Sequence, residues 1–379
     1  MLILTLSLFL SVPAPTGNIL LVIADDIGTL PTTPTIQSLQ ANGVTFKTVY
    51  AYPTCSPTRA CIMTGRYGFR TKIGTALAIY SLAANEQLIP ELTQHKTAMI
   101  GKWHLSNIQQ FPFTNPNDQG FDHFSGTQWN IPDYCEWQQI RNGQVVGSTQ
   151  YATTVNVDDA LSWIKTQTDH WFLTLAFNTA HSPYHIPGCP TEVSTSRDAM
   201  ILNMDTKLGQ LLGSINLTET TVIFIGDNGD PVEFGGKKGT IYEKGIRVPL
   251  VIAHNGVVNP GRTSTALVQA LDLFATSLEL MGNTVPQTDS KSLVPILKNQ
   301  ASRHRDWIVS EKFPNGVPEN ADYCIRGQKY KYLKFYASGA EEFYNLVLDP
   351  NENVNLINDP ALAGQINALR TTVETLRVW

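Results

Sequence analysis

Charge is scarce in this chain, and none of it is gathered. Asp, Glu, Lys and Arg make up 16% of the 379 residues, the net charge is −5, and no basic run occurs. A nucleic-acid partner is therefore not expected, because one is recognised through a basic stripe or patch. An anionic ligand would have to be held by a few placed cations rather than by the overall field. Cysteine is sparse as well: Cys55, Cys61, Cys135, Cys189 and Cys324, with no C-x-x-C pair. That spacing argues against a thiolate zinc centre. There is no low-complexity tract, no internal repeat and no apolar stretch long enough to span a bilayer. The apolar start, Leu2 to Leu10 followed by small residues around Val12-Pro13-Ala14, reads as a signal peptide over residues 1–16, although no Lys or Arg follows Met1. A secreted or periplasmic location follows from it, where some of the cysteines could pair.

Apolar residues are plentiful, 42% of the chain, and they are grouped in short runs. Residues 18–24, 171–177, 221–226 and 248–253 are continuous apolar stretches, and 97–100 is a shorter one. Runs without alternation predict strands buried on both faces. Helical spacing lies between them, over about 35–42, 153–168, 198–215 and 263–280. Strands alternating with helices predict an α/β fold with a mostly parallel central sheet flanked by helices. Beyond residue 300 the texture changes. Residues 307–312, 323–326 and 330–335 read as short strands with a turn at 326–329, and 360–376 reads as a closing helix. The predicted division is a catalytic domain over 17–300 and a C-terminal part over 301–379, a small antiparallel sheet plus helix.

Polar clusters follow the predicted strands. Asp25-Asp26 follows the first, Lys102 and His104 follow 97–100, His181 follows 171–177, and Asp227-Asn228 follows 221–226. Ligands of open α/β sheets bind beyond the carboxyl ends of strands. Each cluster alone could equally be a cap or turn, but four at four strand ends predict a site. Asp25, Asp26, Asp227 and Asn228 offer only oxygen ligands, which suit calcium or magnesium better than zinc. Cys55-Ser56-Pro57-Thr58-Arg59 places a cysteine at a predicted helix N-terminus, where negative charge is favoured. The same string also admits a buried structural cysteine or a Cys55–Cys61 disulfide.

That string, with Thr64-Gly65-Arg66, resembles the signature of the type I, formylglycine-dependent sulfatases, arylsulfatase-like members of the alkaline phosphatase superfamily. Other family-like segments follow in family order: Ile23-Ala24-Asp25-Asp26-Ile27-Gly28, Gly101-Lys102-Trp103-His104, His181-Ser182-Pro183, Gly226-Asp227-Asn228-Gly229, and Lys238-Gly239-Thr240 leading to Gly245-Ile246-Arg247-Val248-Pro249. Phe343-Tyr344-Asn345-Leu346 resembles the C-terminal segment.

The resemblance implies that a maturation enzyme oxidises Cys55 to formylglycine. It implies that the hydrated aldehyde attacks sulfur and then expels sulfate. Asp25, Asp26, Asp227, Asn228 and the modified Cys55 would hold Ca2+ or Mg2+. Arg59 would hold the aldehyde hydrate, Lys102 and Lys238 the sulfate oxygens, His104 would take a proton, and His181 would assist the leaving alcohol. The substrate would be a sulfated small molecule or carbohydrate. Phosphate ester or phosphonate hydrolysis on the same scaffold, or non-catalytic binding of sulfated glycans, are the competing readings. Trp103 reads as core and His185 as a surface-loop residue. The short segment between Asp26 and Thr33 and the compact loop from Gly229 to Lys238 predict an open rim.

Overall fold

The strand β1, Asn18–Ala24, is apolar from Ile19 onward because its alternate residues enter two different cores. Ile19, Leu21 and Ile23 join one buried cluster, and Leu20, Val22 and Ala24 join another on the opposite face of the sheet. The computed structural model describes residues 17–378 apart from 77–79, 108, 110–111, 191 and 195–196, so the predicted leader over 1–16 lies outside the described residues.

The other strands are β2 (Gly43–Tyr50), β3 (Lys96–Lys102), β4 (His123–Thr127), β5 (Ile140–Arg141), β6 (Gln144–Val145), β7 (Trp171–Phe177), β8 (His185–Ile186), β9 (Glu192–Val193), β10 (Thr220–Gly226), β11 (Leu250–His254) and β12 (Arg262–Gln269). Ten of them form one sheet in the order β12-β2-β11-β10-β1-β7-β3-β4-β5-β6, with β8 and β9 paired separately. Strand β1 pairs in parallel with β10 and β7, and β3 in parallel with β7 and β4. Strand β11 runs against both its neighbours, β10 and β2, and β5 against β4 and β6. The remaining eight strands therefore point one way, which is the mostly parallel sheet that the apolar runs predict.

Helices cover both faces. Pro34–Ala41, Ala152–Lys165 and Asp198–Leu212 lay Ile36, Leu39, Val157, Ala160, Met204 and Leu208 on one side. Cys55–Thr64 and Asp272–Leu280 lay Ala60, Ile62, Leu273 and Phe274 on the other. Close strand packing demands Gly101: it sits at φ +97°, and a Cβ there would meet the Ala176 carbonyl oxygen at 1.9 Å.

The C-terminal strands β13 (Ile308–Lys312), β14 (Asp322–Arg326), β15 (Tyr330–Lys334) and β16 (Glu341–Asn345) form an antiparallel sheet in chain order. The helix Ala363–Leu376 buries Ile366 and Val373. The Gln269 side chain at the end of β12 bonds both the amide and the carbonyl of Val309, and Ser310 donates to the Ala51 carbonyl at 2.8 Å. Among the described residues no helix is long and apolar enough to cross a membrane.

One predicted element is corrected. Residues 263–280 are not one helix: the first part is the edge strand β12, paired in parallel with β2, and the helix begins at Asp272. The run Thr263-Ser264-Thr265-Ala266-Leu267-Val268 is rich in β-branched residues, which a pleated surface accommodates better than a helix.

Candidate active site and metal centre

The residues singled out in the sequence meet at the carboxyl edge of the large sheet. Ala24 is in register with Gly226 on one side and Phe177 on the other, so Asp25-Asp26, Asp227-Asn228 and the segment after β7 emerge together. The turn is tied across strands: Asp25 N donates to Thr179 O at 2.9 Å, Ala180 N to Asp25 O at 2.6 Å, and Asp227 N to Ala24 O at 3.1 Å. Asp26 adopts φ 58°, a left-handed turn that aspartate tolerates better than most residues. Lys102 closes β3, and His104 stands two residues on at φ 60°.

Cys55 opens the helix Cys55–Thr64, every residue of which is buried. Its Sγ lies 3.3 Å from Asp25 Oδ1. One potential ligand atom from each of Asp25, Asp26, Cys55 and Asp227 falls within 4.8 Å of the others. Arg59, one turn further along, donates Nη2 to Asp227 Oδ2 at 2.9 Å and Nη1 to the Lys102 carbonyl at 2.6 Å. The Lys102 ammonium bonds Asp25 Oδ2, and Lys238 pairs with Asp26 Oδ1. Both lysines thus stand against the carboxylates predicted to hold a cation.

The donor set fits a hard divalent ion on an observation of its own. Asn228 spends its amide nitrogen on Asp26 Oδ1 at 2.8 Å and Gly229 O at 3.0 Å. Its Oδ1 is buried with no hydrogen-bond partner among the described residues. A buried amide oxygen left unpaired is costly, and a cation beside three carboxylates would satisfy it.

The electrostatics are strained in the same direction. Burial would push the Asp25 carboxyl up, but Lys102, His181, Arg59 and Lys238 hold it well below the usual carboxylate range. Burial and the Asp25 charge push Asp227 up to about 6 despite Arg59 and Lys102. Burial, then Asp25, push the Cys55 thiol well up. Burial works against the Lys238 ammonium, but Cys55, Asp26 and Asp25 raise its pKa above the ordinary lysine value. His104 is fully enclosed, and burial together with Lys102 and Arg59 holds its imidazole neutral. Its Nδ1 is buried without a partner among the described residues. His181 is also pushed down by burial, against the pull of Asp25. Its Nδ1 lies 2.8 Å from Ser182 O, which assigns the proton to Nδ1 and leaves Nε2 as the acceptor.

Two readings change. His185 is a buried residue, 3% exposed, bonded to Tyr151 OH at 2.9 Å and packed on the Tyr134 ring. Its ring supplies apolar faces to two aromatics, which outweighs its place in a predicted loop. Cys55 and Cys61 are both free, and the disulfide joins Cys135 to Cys189. Sequence reasoning also missed Arg197 and Asp230. Arg197 donates to the Asp26 carbonyl at 3.0 Å and pairs with Asp230, which also accepts from Gly28 N at 3.0 Å and Thr29 Oγ1 at 2.6 Å. The only hint was the position of Asp230, three residues after Asp227.

A family model described as Sulfatase matches residues 17–283, and one described as N-sulphoglucosamine sulphohydrolase, C-terminal matches residues 234–378. The chain belongs to the sulfatase family. Human N-acetylgalactosamine-6-sulfatase is 30% identical over 344 residues, covering 74% of this chain and 65% of that protein. This chain spans just under two thirds of the length of the N-acetylgalactosamine-6-sulfatases it matches. N-acetylglucosamine-6-O-sulfatase of Bacteroides thetaiotaomicron is 23% identical, over 92% of this chain and 82% of that protein. The solved structure of Ps i-CgsB in complex with k-i-k-neocarrahexaose has the same fold, with a TM-score of 0.82, 24% identity, and 96% of this chain and 93% of that chain covered.

Proposed function

We propose that this protein hydrolyses sulfate esters of carbohydrates, through residue 55 after conversion of the cysteine to formylglycine, with calcium or magnesium held by Asp25, Asp26, Asp227, Asn228 and residue 55. The observation that carries this reading is the position of Cys55. It stands at the N-terminus of a buried helix, 3.3 Å from Asp25 and inside the ring of carboxylates and cations. Its thiol is pushed up, so unmodified it would be a poor nucleophile. The cation, when bound, would polarise the attacking group and offset carboxylate repulsion.

The chain's own groups divide the remaining work. Lys102 and Lys238 present ammonium groups to the sulfate oxygens, where charge is stabilised most effectively by preplaced donors. Arg59 braces Asp227 and the end of β3. His104, neutral and with a free Nδ1, accepts the proton in the step that returns residue 55 to its starting form. His181 serves the alcohol oxygen of the leaving group. A carbohydrate substrate is supported by the names of the relatives, two of which specify sulfated amino sugars, and by the oligosaccharide in the Ps i-CgsB complex.

We read residues 17–300 as the catalytic domain and 301–379 as a part that braces it. Lys312 supports this, since its ammonium donates to the carbonyl of Gly239, beside Lys238, at 2.7 Å. Action outside the cytoplasm is supported by the Cys135–Cys189 pair.

The test is a mass spectrum of the tryptic peptide over residues 48–59, from protein made in a host with sulfatase-maturing activity. It is joined to turnover of 4-nitrophenyl sulfate and 4-nitrophenyl phosphate. An aldehyde captured by hydrazine reagents, with sulfate preferred and turnover abolished in a folded Cys55→Ala variant, is expected. Preference for phosphate would make it a phosphoester hydrolase. An unmodified thiol with no turnover would make it a binder of sulfated glycans.

A further inference from the structure

A groove of about 630 Å3 lies beside the strand end that carries Lys102 and His104. Its inner wall continues from β4, whose last residue Thr127 is in register with Lys102. The segment after β4 is joined residue by residue to the segment after β3 that carries His104. Trp103 N donates to Thr127 O at 2.9 Å, His104 N to Gln128 O at 2.9 Å, and the Trp129 indole to Ser106 O at 3.2 Å. Its outer wall is the β5–β6 hairpin, which contributes Val145, 47% exposed.

The lining combines two kinds of group. Trp129 and Val145 offer apolar surface, Trp137 lines the groove as a buried residue, and Asn130, Glu136 and Gln138 offer exposed hydrogen-bonding groups. Trp137 is fixed by its indole, which donates to Gln150 O at 3.0 Å. Trp129 is half-buried, so part of its ring is available. A partly exposed indole next to amide and carboxylate groups matches a pyranose, which has apolar C–H faces and a rim of hydroxyls. No lysine or arginine lines the groove among the described residues, and its one charge is the Glu136 carboxylate. A sulfated or carboxylated ring would meet repulsion there without a compensating cation.

We propose that this groove binds an uncharged sugar residue of the substrate, next to the residue whose sulfate is removed. The inference rests on the carbohydrate sulfatase reading and adds to it a charge rule for the neighbouring residue. Selectivity would then come from the β4–β5 loop and the hairpin, while Lys102 and Lys238 hold the sulfate.

The experiment compares kcat/KM for three probe classes: sulfated monosaccharides, the same units extended by unsulfated residues, and the same units extended by sulfated residues. It uses the wild type, Trp129→Phe and Gln138→Ala, with 4-nitrophenyl sulfate turnover as a separate record of the reaction centre. The uncharged extension should raise kcat/KM and the charged extension should not. Each variant should lower the ratio of uncharged-extended to monosaccharide kcat/KM by about tenfold, the size of one lost contact. Because Trp129 also holds the Ser106 carbonyl, the exposed Gln138 keeps the test independent of that loop. Equal rates for all three classes, or variants that leave the ratio unchanged, would overturn the groove assignment. Turnover of 4-nitrophenyl sulfate with none of any sugar sulfate would overturn it together with the carbohydrate reading, whereas absence of both activities would place the failure in the sulfatase reading itself.

Discussion

Arg197 and Asp230 form an ion pair that clamps the turn presenting Asp25 and Asp26. The guanidinium holds the Asp26 carbonyl from one side, and the carboxylate holds Gly28 N and Thr29 Oγ1 from the other. The Phe234 ring lies 5.0 Å from the guanidinium and screens it from water. The pair therefore braces the backbone that follows Asp26, and neither member belongs to the cluster of Asp25, Asp26, Cys55 and Asp227.

Replacing Arg197 with Met should leave Asp230 enclosed and unpaired. Removal of one partner of such a pair costs about 3 kcal/mol, and urea unfolding should register a loss of that order. Calorimetric titration with calcium should show weaker binding in the variant, because the Asp26 backbone is no longer held. Unchanged calcium affinity would show that Asp26 is set by the sheet alone.

Chelation should abolish the proposed sulfate ester hydrolysis, and calcium or magnesium should restore it. An Asn228→Leu variant should require more added metal for the same activity, since it removes the buried Oδ1 that has no partner among the described residues. Activity that survives prolonged dialysis against a chelator would contradict an oxygen-ligand cation site.

Much of this was legible from residue order because parallel strands advertise themselves. An apolar run buried on both faces must end at the sheet edge, so the first polar residues after it, such as Asp25, Lys102 and Asp227, were placed at a common edge by local pattern alone. What stayed hidden was carried by contacts between distant residues. Arg197 meets Asp26 across a separation of 171 positions, and no local period announces it. Strand β2 escaped notice because Thr45, Lys47 and Thr48 interrupt its apolar residues, so it lacks the unbroken run that marks β1; it pairs with β11 and β12. His185 was misplaced because its loop-like context, Pro183-Tyr184-His185-Ile186-Pro187-Gly188, says nothing about the two tyrosine rings that enclose it.

The C-terminal sheet reaches the Lys238 loop through a buried charge cluster. Lys331 on β15 bonds Glu352 at 2.8 Å and lies 3.4 Å from Glu243, which also binds Tyr50 and accepts from Arg326 at 2.6 Å. Lys331 has no solvent exposure. A Lys331→Met variant would strand two carboxylates in the interior and should lose about 3–5 kcal/mol. Denaturant unfolding measures this directly. A loss below about 1 kcal/mol would mean that Arg326 alone neutralises the pair.

Acid should unfold the protein partly through Asp272, whose carboxylate anchors the helix packed against Cys55–Thr64. Phe274 of that helix lies so close to Gly65 that a Cβ at Gly65 would fall 2.6 Å from its ring. Burial would raise the Asp272 pKa, but Arg305, with Nε at 2.9 Å, and His304, at 3.0 Å, reverse this and hold it at about 2. A folded pKa below the unfolded value contributes stability that is complete above the unfolded pKa and is lost as pH falls through the folded one. The contribution is about 2.5 kcal/mol, present above roughly pH 5 and gone near pH 1. Asp272→Asn should therefore be less stable than the wild type at neutral pH, with the gap narrowing by that amount as the pH is lowered. Urea midpoints measured from pH 7 down to pH 2.5 would trace most of it, and a gap independent of pH would show that Asp272 titrates alike in the folded and unfolded chains.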